Sequence, residues 1–474
     1  MRRTQFIIIF IFAFIATSQL VSADVTVSTL DDQKRVEVTV YNNNLGLVKD
    51  TRQIKLPEGE GELRFMDVAA FIMPVTVHAK SLNAPQAFNI LEQNYEYDLI
   101  DQNKLLDKYV GKKVKLIQWN EYQDRKDEVE ATLISNNNGE VYKIGDEIYL
   151  GYPGLRVLPE LPENLIAKPT LMWLYRSTAL EPHALEVSYL TNNLNWKADY
   201  VLVINDKDTS GDLSGWVTID NTSGATYNNA KLKLVAGEVQ RIQEEVLYQR
   251  DMMMKEAMMA SAAPGFVEQG FFEYHIYDLQ RPTTIKDRQT KQISLLEANG
   301  VGLQKEFLVY GEQSYYTYRY NVENPKQPVQ VYIKFKNSEA NHLGMPLPAG
   351  VMRLYKEDSS KSLQFIGEDR IVHTPKDEEV KLKVGEAFDV VAERVQTDFK
   401  QITNRMFESA WEITLRNHKE EDITVSLIEP VYGHWELLEQ SHPSTKVDAF
   451  TLRFDVPVAH DGEVKVKYRV RVGI

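Results

Sequence analysis

The chain has 474 residues, no cysteine, 18 prolines and 24 glycines, with 43% hydrophobic and 26% charged residues. That balance excludes a collagenous, disulfide-built or wholly disordered protein, and the missing thiols exclude thiolate catalysis, cysteine-ligated zinc and iron–sulfur clusters. A net charge of −14 argues against non-specific binding to nucleic acid, which needs a basic surface.

The first element is an address. Arg2 and Arg3 precede an unbroken apolar run from Phe6 to Ile15, and Val21-Ser22-Ala23 places small residues before Asp24. This pattern predicts a signal peptide over residues 1–23, cut before Asp24. The run is short for a membrane span, which needs about 20 apolar residues. No later segment is long and apolar enough to cross, so the expected location is periplasmic or extracellular, with no transmembrane segment after cleavage.

Residues 24–97 read as an N-terminal β region. Arg35 to Tyr41 alternates apolar and polar, Asn42-Asn43-Asn44 supplies a turn, and Leu45 to Ile54 resumes the extended pattern. Residues 98–160 differ. Asp101 is placed to cap a short helix over Gln102 to Tyr109, ended by Gly111. Short strands separated by Asn136-Asn137-Asn138-Gly139 and Gly145-Asp146 then predict a small barrel-like insertion. Prolines 153, 159, 162 and 169 mark a linker.

Residues 170–384 predict a central β-sandwich region with longer strands, Trp196 and Trp216 falling in its core. One Met-rich helical excursion is expected at 240–262, where Met252, Met253, Met254, Met258 and Met259 cluster. Tyr315 to Tyr320 reads as a strand with Tyr316, Tyr318 and Tyr320 on one face. Residues 385–474 predict a C-terminal β-sandwich whose last strand is the alternating run from Glu463 to Val472. The fold class expected is mainly β and multidomain, built of β-sandwich-like domains.

Several motifs in this order carry a resemblance. Val40 to Asp50 (Val-Tyr-Asn-Asn-Asn-Leu-Gly-Leu-Val-Lys-Asp), Asn195-Trp-Lys-Ala-Asp-Tyr200, Ala230-Lys-Leu-Lys-Leu-Val-Ala-Gly237 and Glu273-Tyr-His-Ile-Tyr-Asp-Leu279 are among them, with Met345-Pro-Leu-Pro-Ala-Gly350 and Phe365-Ile-Gly-Glu368. Together they resemble the bacterial domain-of-unknown-function family 4139, over nearly the whole chain after residue 23. The resemblance implies an exported β-rich protein and carries over no catalytic residue.

Chemistry-bearing motifs are sparse. The nine histidines form no His-Glu-x-x-His or other compact metal spacing. Asp206 to Asp212 resembles the first half of a calcium loop, but position twelve is Val217, so a hairpin turn is the simpler reading. Acidic pairs such as Glu244-Glu245 and Glu420-Glu421 suit solvated loops. No catalytic residue, metal ligand or cofactor is assigned. The aromatic residues are the remaining lead, because rings with one polar end suit wet interfaces. Tyr274, His275, Tyr316 and Tyr318 are the candidate binding residues, for a glycan or an envelope protein partner. The expected function is a non-enzymatic binding or structural module of the cell envelope. The alternative is a carboxylate-based hydrolase of an envelope polymer, which needs two carboxyl groups at a set separation.

Overall fold

The computed structural model describes residues 25–96, 100–120, 124–162, 168–179, 181–237, 239–240, 266–271, 274–320 and 325–474. The expected signal peptide at 1–23, and the expected helical excursion at 240–262 beyond residue 240, lie outside them. The structure is mainly β, with several sheets and one α-helix among the described residues. It divides into two compact units, residues 1–35 with 49–189 and residues 36–48 with 190–474.

In the first unit a four-stranded sheet runs in the order Val25–Ser28, Gly59–Met66, Thr170–Ser177, Phe88–Glu96. Alternation puts Leu63, Phe65, Leu171, Trp173 and Tyr175 on a buried face. Trp173 stands opposite Leu63, its ring is 5.6 Å from Phe65, and its indole N–H donates to Gln93 Oε1 at 2.8 Å. A buried ion pair lies alongside. Arg52 donates to Asp50 Oδ2 at 2.8 Å, and its guanidinium sits 3.6 Å above the Phe65 ring.

The strands His78–Ser81 and His183–Asn192 pair antiparallel in the same unit. His183 is fully buried at the start of the longer strand, with Nε2 3.0 Å from Ser177 Oγ and Nδ1 2.9 Å from Ser81 Oγ. Burial lowers its pKa below the ordinary value of 6.5. The unfolded chain therefore binds a proton that the folded chain refuses. Stability is full above the ordinary histidine value and falls as the pH drops below it, so the denaturation midpoint should decline below about pH 6.5. His183→Gln should flatten that decline; an equal slope in both proteins would refute the assignment.

The insertion matches its expected helix. Gln102–Tyr109 is helical, and the Asp101 carboxylate accepts from Lys104 N at 3.0 Å. The barrel-like expectation is corrected. Five antiparallel strands form an open sheet in the order Glu147–Leu150, Val141–Ile144, Arg125–Ser135, Lys113–Asn120, Leu155–Val157. The two outer strands have four and three residues, too little ladder to close a barrel. The helix covers the apolar face instead, packing Leu106 and Tyr109 among Val114, Leu116, Ala131, Leu133 and Tyr142.

In the second unit a five-stranded sheet has the order Gln289–Gly302, Ser210–Asn221, Leu194–Ile204, Gly350–Glu357, Leu363–Ile371. The Leu194–Ile204 and Gly350–Glu357 strands are parallel; the other neighbours are antiparallel. Trp196 lies in the core as expected, donating to Val235 O at 3.1 Å and meeting Tyr277 edge-on. Trp216 does not. It is 38% exposed, because Leu213, Gly215, Val217 and Ile219 take the inward positions of its strand.

The C-terminal sandwich combines a six-stranded sheet with a five-stranded one. The first runs Glu379–Glu386, Gln330–Lys336, Gln304–Tyr310, Ile423–Pro430, Thr451–Val458, Thr445–Lys446. The second runs Lys326–Gln327, Val390–Thr403, Met406–Asn417, Glu463–Gly473, His434–Gln440. Inward residues of both, including Phe307, Trp411, Ile413, Phe454 and Tyr468, share one core. Its strands come from both sides of residue 385.

Candidate functional site

The four aromatic and histidine candidates occupy different surroundings. Tyr274 and His275 open the strand Tyr274–Leu279 and are half-buried. Gly237, at φ 122°, lies so close that a Cβ there would stand 2.7 Å from the Tyr274 ring. His275 Nδ1 is 2.7 Å from Glu268 Oε1 on the neighbouring strand Phe266–Phe271.

The Tyr315–Tyr320 strand is corrected. Residues Gln313–Tyr316 form a 3-10 turn, so the side chains do not alternate. Tyr315 and Tyr316 both enter the core, whereas Tyr318 is 70% exposed. Tyr316 donates its O–H to Glu429 Oε2 at 2.6 Å and stands 3.0 Å from the Tyr468 hydroxyl. Burial, and then the Glu429 charge, push the Tyr316 hydroxyl well above its ordinary pKa, so it keeps its proton. Among the described contacts, none joins the 274–275 pair to the 316–318 pair.

A different place gathers unlike chemistry. In the second unit, an open cleft of about 290 Å³ lies between the edge of the five-stranded sheet and the Glu379–Glu386 side of the sandwich. Asp208 is among the residues that line it. The Asp206–Asp212 segment is a hairpin turn, as its sequence predicts: Asn205 Oδ1 accepts from Thr209 N at 3.0 Å, and Asp208 takes a left-handed backbone at φ 56°. This turn presents the Asp208 carboxylate to two cations. Lys305 donates to Oδ2 at 2.7 Å, and Lys356 donates to Oδ1 and to Asp206 O. Burial alone would raise the Asp208 carboxyl, but the two ammonium groups outweigh it and hold it below the usual carboxylate range.

The pair leaves donors to spare. Each ammonium has three N–H groups. Lys305 spends one on Asp208 and Lys356 spends one each on Asp208 and Asp206 O. Glu386, Asp389 and Lys419 also line the cleft, so its lysines and carboxylates balance, and what is left over is N–H donors. Ile366, Val384 and Phe388 give the lining apolar surface, and Phe388 is 96% exposed. Spare ammonium donors beside apolar surface suit an anion with an apolar body.

A second depression, on the insertion, is polar and lined by Asn103, Asp107, Asn136 and Arg156 among others. Its groups largely satisfy one another. Asn136 donates to Asp107 Oδ1 at 3.0 Å, and Arg156 donates to Glu140 Oε2 at 2.6 Å. Among the described residues, no group of three or more His, Cys, Asp or Glu side chains is placed to hold a metal ion.

Sequence reasoning singled out Asp208 only as part of a turn and missed Lys305, Lys356 and Phe388. The lysines sit on alternating strands like many others. Phe388 alone carried a hint, as a lone large apolar residue in the Glu386-Ala387-Phe388-Asp389 connection.

No curated protein matches the chain at a significant level. The family model described as Domain of unknown function (DUF4139) matches residues 185–472. The opening motif at Val40 to Asp50 lies outside that span; the middle and later motifs, the cleft and the sandwich lie within it. On this match, which takes in more than half of its length, the chain belongs to the DUF4139 family.

Proposed function

We propose that this protein is a non-enzymatic binding module of the cell envelope that takes an amphipathic carboxylate in the cleft at Asp208. The observation that carries the reading is the Lys305–Asp208–Lys356 cluster, with its spare ammonium donors, in one cleft with the exposed Phe388. A carboxylate ligand meets the spare ammonium donors, and its apolar body covers Phe388 and Ile366. Asp208 is held ionised, so it serves as an anchor for the lysines and not as a proton donor. The envelope location rests on the signal-peptide pattern of residues 1–23.

Sodium octanoate is a direct probe, having one carboxylate and one apolar chain. Calorimetric titration of the protein should show saturable binding. Lys356→Gln should weaken it roughly tenfold, the scale of one charge-assisted hydrogen bond. Phe388→Ala should weaken it several-fold while leaving the unfolding midpoint unchanged, because Phe388 packs against almost nothing. Absence of saturable binding, or equal affinity in all three proteins, overturns the reading.

A further inference from the structure

We infer that His183 is a pH-sensitive latch: when neutral it pins the ends of the strands Thr170–Ser177 and His78–Ser81 to the start of its own strand, and protonation releases them. The latch lies in the first unit and the cleft in the second, so neither depends on the other. It goes beyond the effect of His183 on overall stability by naming the contact that the proton breaks.

The donors and acceptors of the cluster run in one direction, set at Asn83. Its Oδ1 accepts from Ala184 N at 2.8 Å and its Nδ2 donates to Pro182 O at 2.9 Å, which fixes the orientation of the amide. The Ser81 hydroxyl, 3.1 Å from that Oδ1, therefore gives it its one proton. The lone pairs of Ser81 Oγ are left to accept, from Ala84 N at 3.3 Å and from His183 Nδ1 at 2.9 Å. Nδ1 thus carries the imidazole proton. Nε2 is a bare acceptor and takes the Ser177 hydroxyl proton across 3.0 Å. A serine bonded to an oriented histidine is the arrangement of an activated nucleophile. Ser177 and His183 are both fully buried, however, so the polarised hydroxyl holds structure and meets no substrate.

A second proton turns Nε2 from acceptor into donor. The Ser177 oxygen must then rotate to accept it, and the hydroxyl proton loses its own acceptor in a site closed to water. Among the described contacts, no carboxylate meets the ring to offset the imidazolium. Phe88 lies 5.7 Å from it, and Tyr175 stacks on Phe88 at 6.2 Å. The charges of the surrounding strands are engaged elsewhere: Lys80 with Glu186 at 3.0 Å, Arg176 with Glu60 at 2.5 Å, and Arg52 with Asp50 at 2.8 Å. Glu181, in the connection before His183, is exposed. Opening the contact relieves both costs. Leu82 N donates to Ala184 O at 2.8 Å and Ala179 N to Ser177 Oγ at 3.4 Å, each within two residues of a member of the cluster, so these bonds open with it.

The test is amide hydrogen exchange of the whole protein at about pH 7.5 and about pH 5.5, on either side of the ordinary histidine value and corrected for the intrinsic rates. The amides of Leu82, Ala84, Ala179 and Ala184 should open about tenfold more often at the lower pH, while those of Glu463–Gly473 keep their protection. His183→Gln should protect the same four amides equally at both pH values. Ser177→Ala removes the hydroxyl that the proton displaces, so the midpoint of opening should move up by about half a unit to one unit, the scale of one hydrogen bond. Imidazole nitrogen shifts of the unaltered protein at neutral pH should show the proton on Nδ1. A proton on Nε2 instead, equal protection at both pH values, acid opening shared by His183→Gln, or an unshifted midpoint in Ser177→Ala each overturns the inference. Simultaneous loss of protection throughout the first unit is global unfolding and overturns it too.

Discussion

Replacing Glu429 with alanine is expected to destabilise the protein by about 3–5 kcal/mol, because it strands a buried cation. Arg394 and Glu429 are 1% and 0% exposed, and they meet in a fork, Nη2 to Oε1 at 2.6 Å and Nη1 to Oε2 at 3.0 Å. The remaining polar atoms are also engaged. Arg394 Nε donates to Gln327 Oε1 at 2.8 Å, Tyr316 donates to Glu429, and Trp411 and Tyr315 flank the guanidinium. Gly311 lies against the same carboxylate so closely that any side chain there would collide with it. Alanine at 429 removes the counter-charge and leaves Arg394 an uncompensated cation in an apolar core, with only the neutral Gln327 and Tyr468 oxygens to meet it. The check is equilibrium urea denaturation, reading the midpoint at constant slope. The double replacement Arg394→Met with Glu429→Leu should recover much of the loss, since an apolar pair of similar volume carries no desolvation cost. A loss below about 1 kcal/mol in the single variant would mean that water reaches the network.

Arg52→Ala is expected to cost a similar amount, about 3–5 kcal/mol, in the first unit. Arg52 is fully buried and binds Asp50 Oδ2 through Nε at 3.0 Å and Nη2 at 2.8 Å. It also donates to Ser28 O at 3.1 Å and Met66 O at 2.8 Å, while covering Phe65. Alanine leaves Asp50 unpaired, frees the Ser28 and Met66 carbonyls and opens a hole above the ring. The two ion pairs differ in one respect. Asp50 Oδ1 and Ser28 Oγ have no hydrogen-bond partner, whereas both carboxylate oxygens of Glu429 are bonded. Arg52→Met with Asp50→Leu should therefore recover more of its loss than the corresponding double variant at 394 and 429. The reverse order in denaturation midpoints would refute that ranking.

These two arginines show where sequence reading stops. Arg52 follows Thr51 in a strand whose pattern is legible, and Arg394 sits in a run that alternates like its neighbours. Period two states which residues share a face of one strand. It does not state what lies across that face, and an arginine facing a core looks in sequence like an arginine facing water. The aromatic candidates failed for a related reason. Tyr316 and Tyr318 share a face only if their backbone is extended, and the chain instead takes a 3-10 turn that drives Tyr316 inward and leaves Tyr318 outside. Trp216 was misjudged because size suggests burial while the register of its strand turns it outward.

The sequence by itself determined the local structure: the strand alternation of Gln33–Tyr41 and Glu463–Gly473, the Asp101-capped helix Gln102–Tyr109, the hairpin turn at Asp206–Asp212 and the membership in the DUF4139 family. Each depends on residues within a few positions of one another, or on motifs read in order. Only the tertiary structure decided the open sheet of the insertion, the parallel pairing of Leu194–Ile204 with Gly350–Glu357, and the meeting of Asp208, Lys305 and Lys356. Those groups come from segments about 50 to 150 residues apart, joined by strand pairings whose backbone hydrogen bonds are the same for every side chain, so register and neighbour are set by the packing of the whole core.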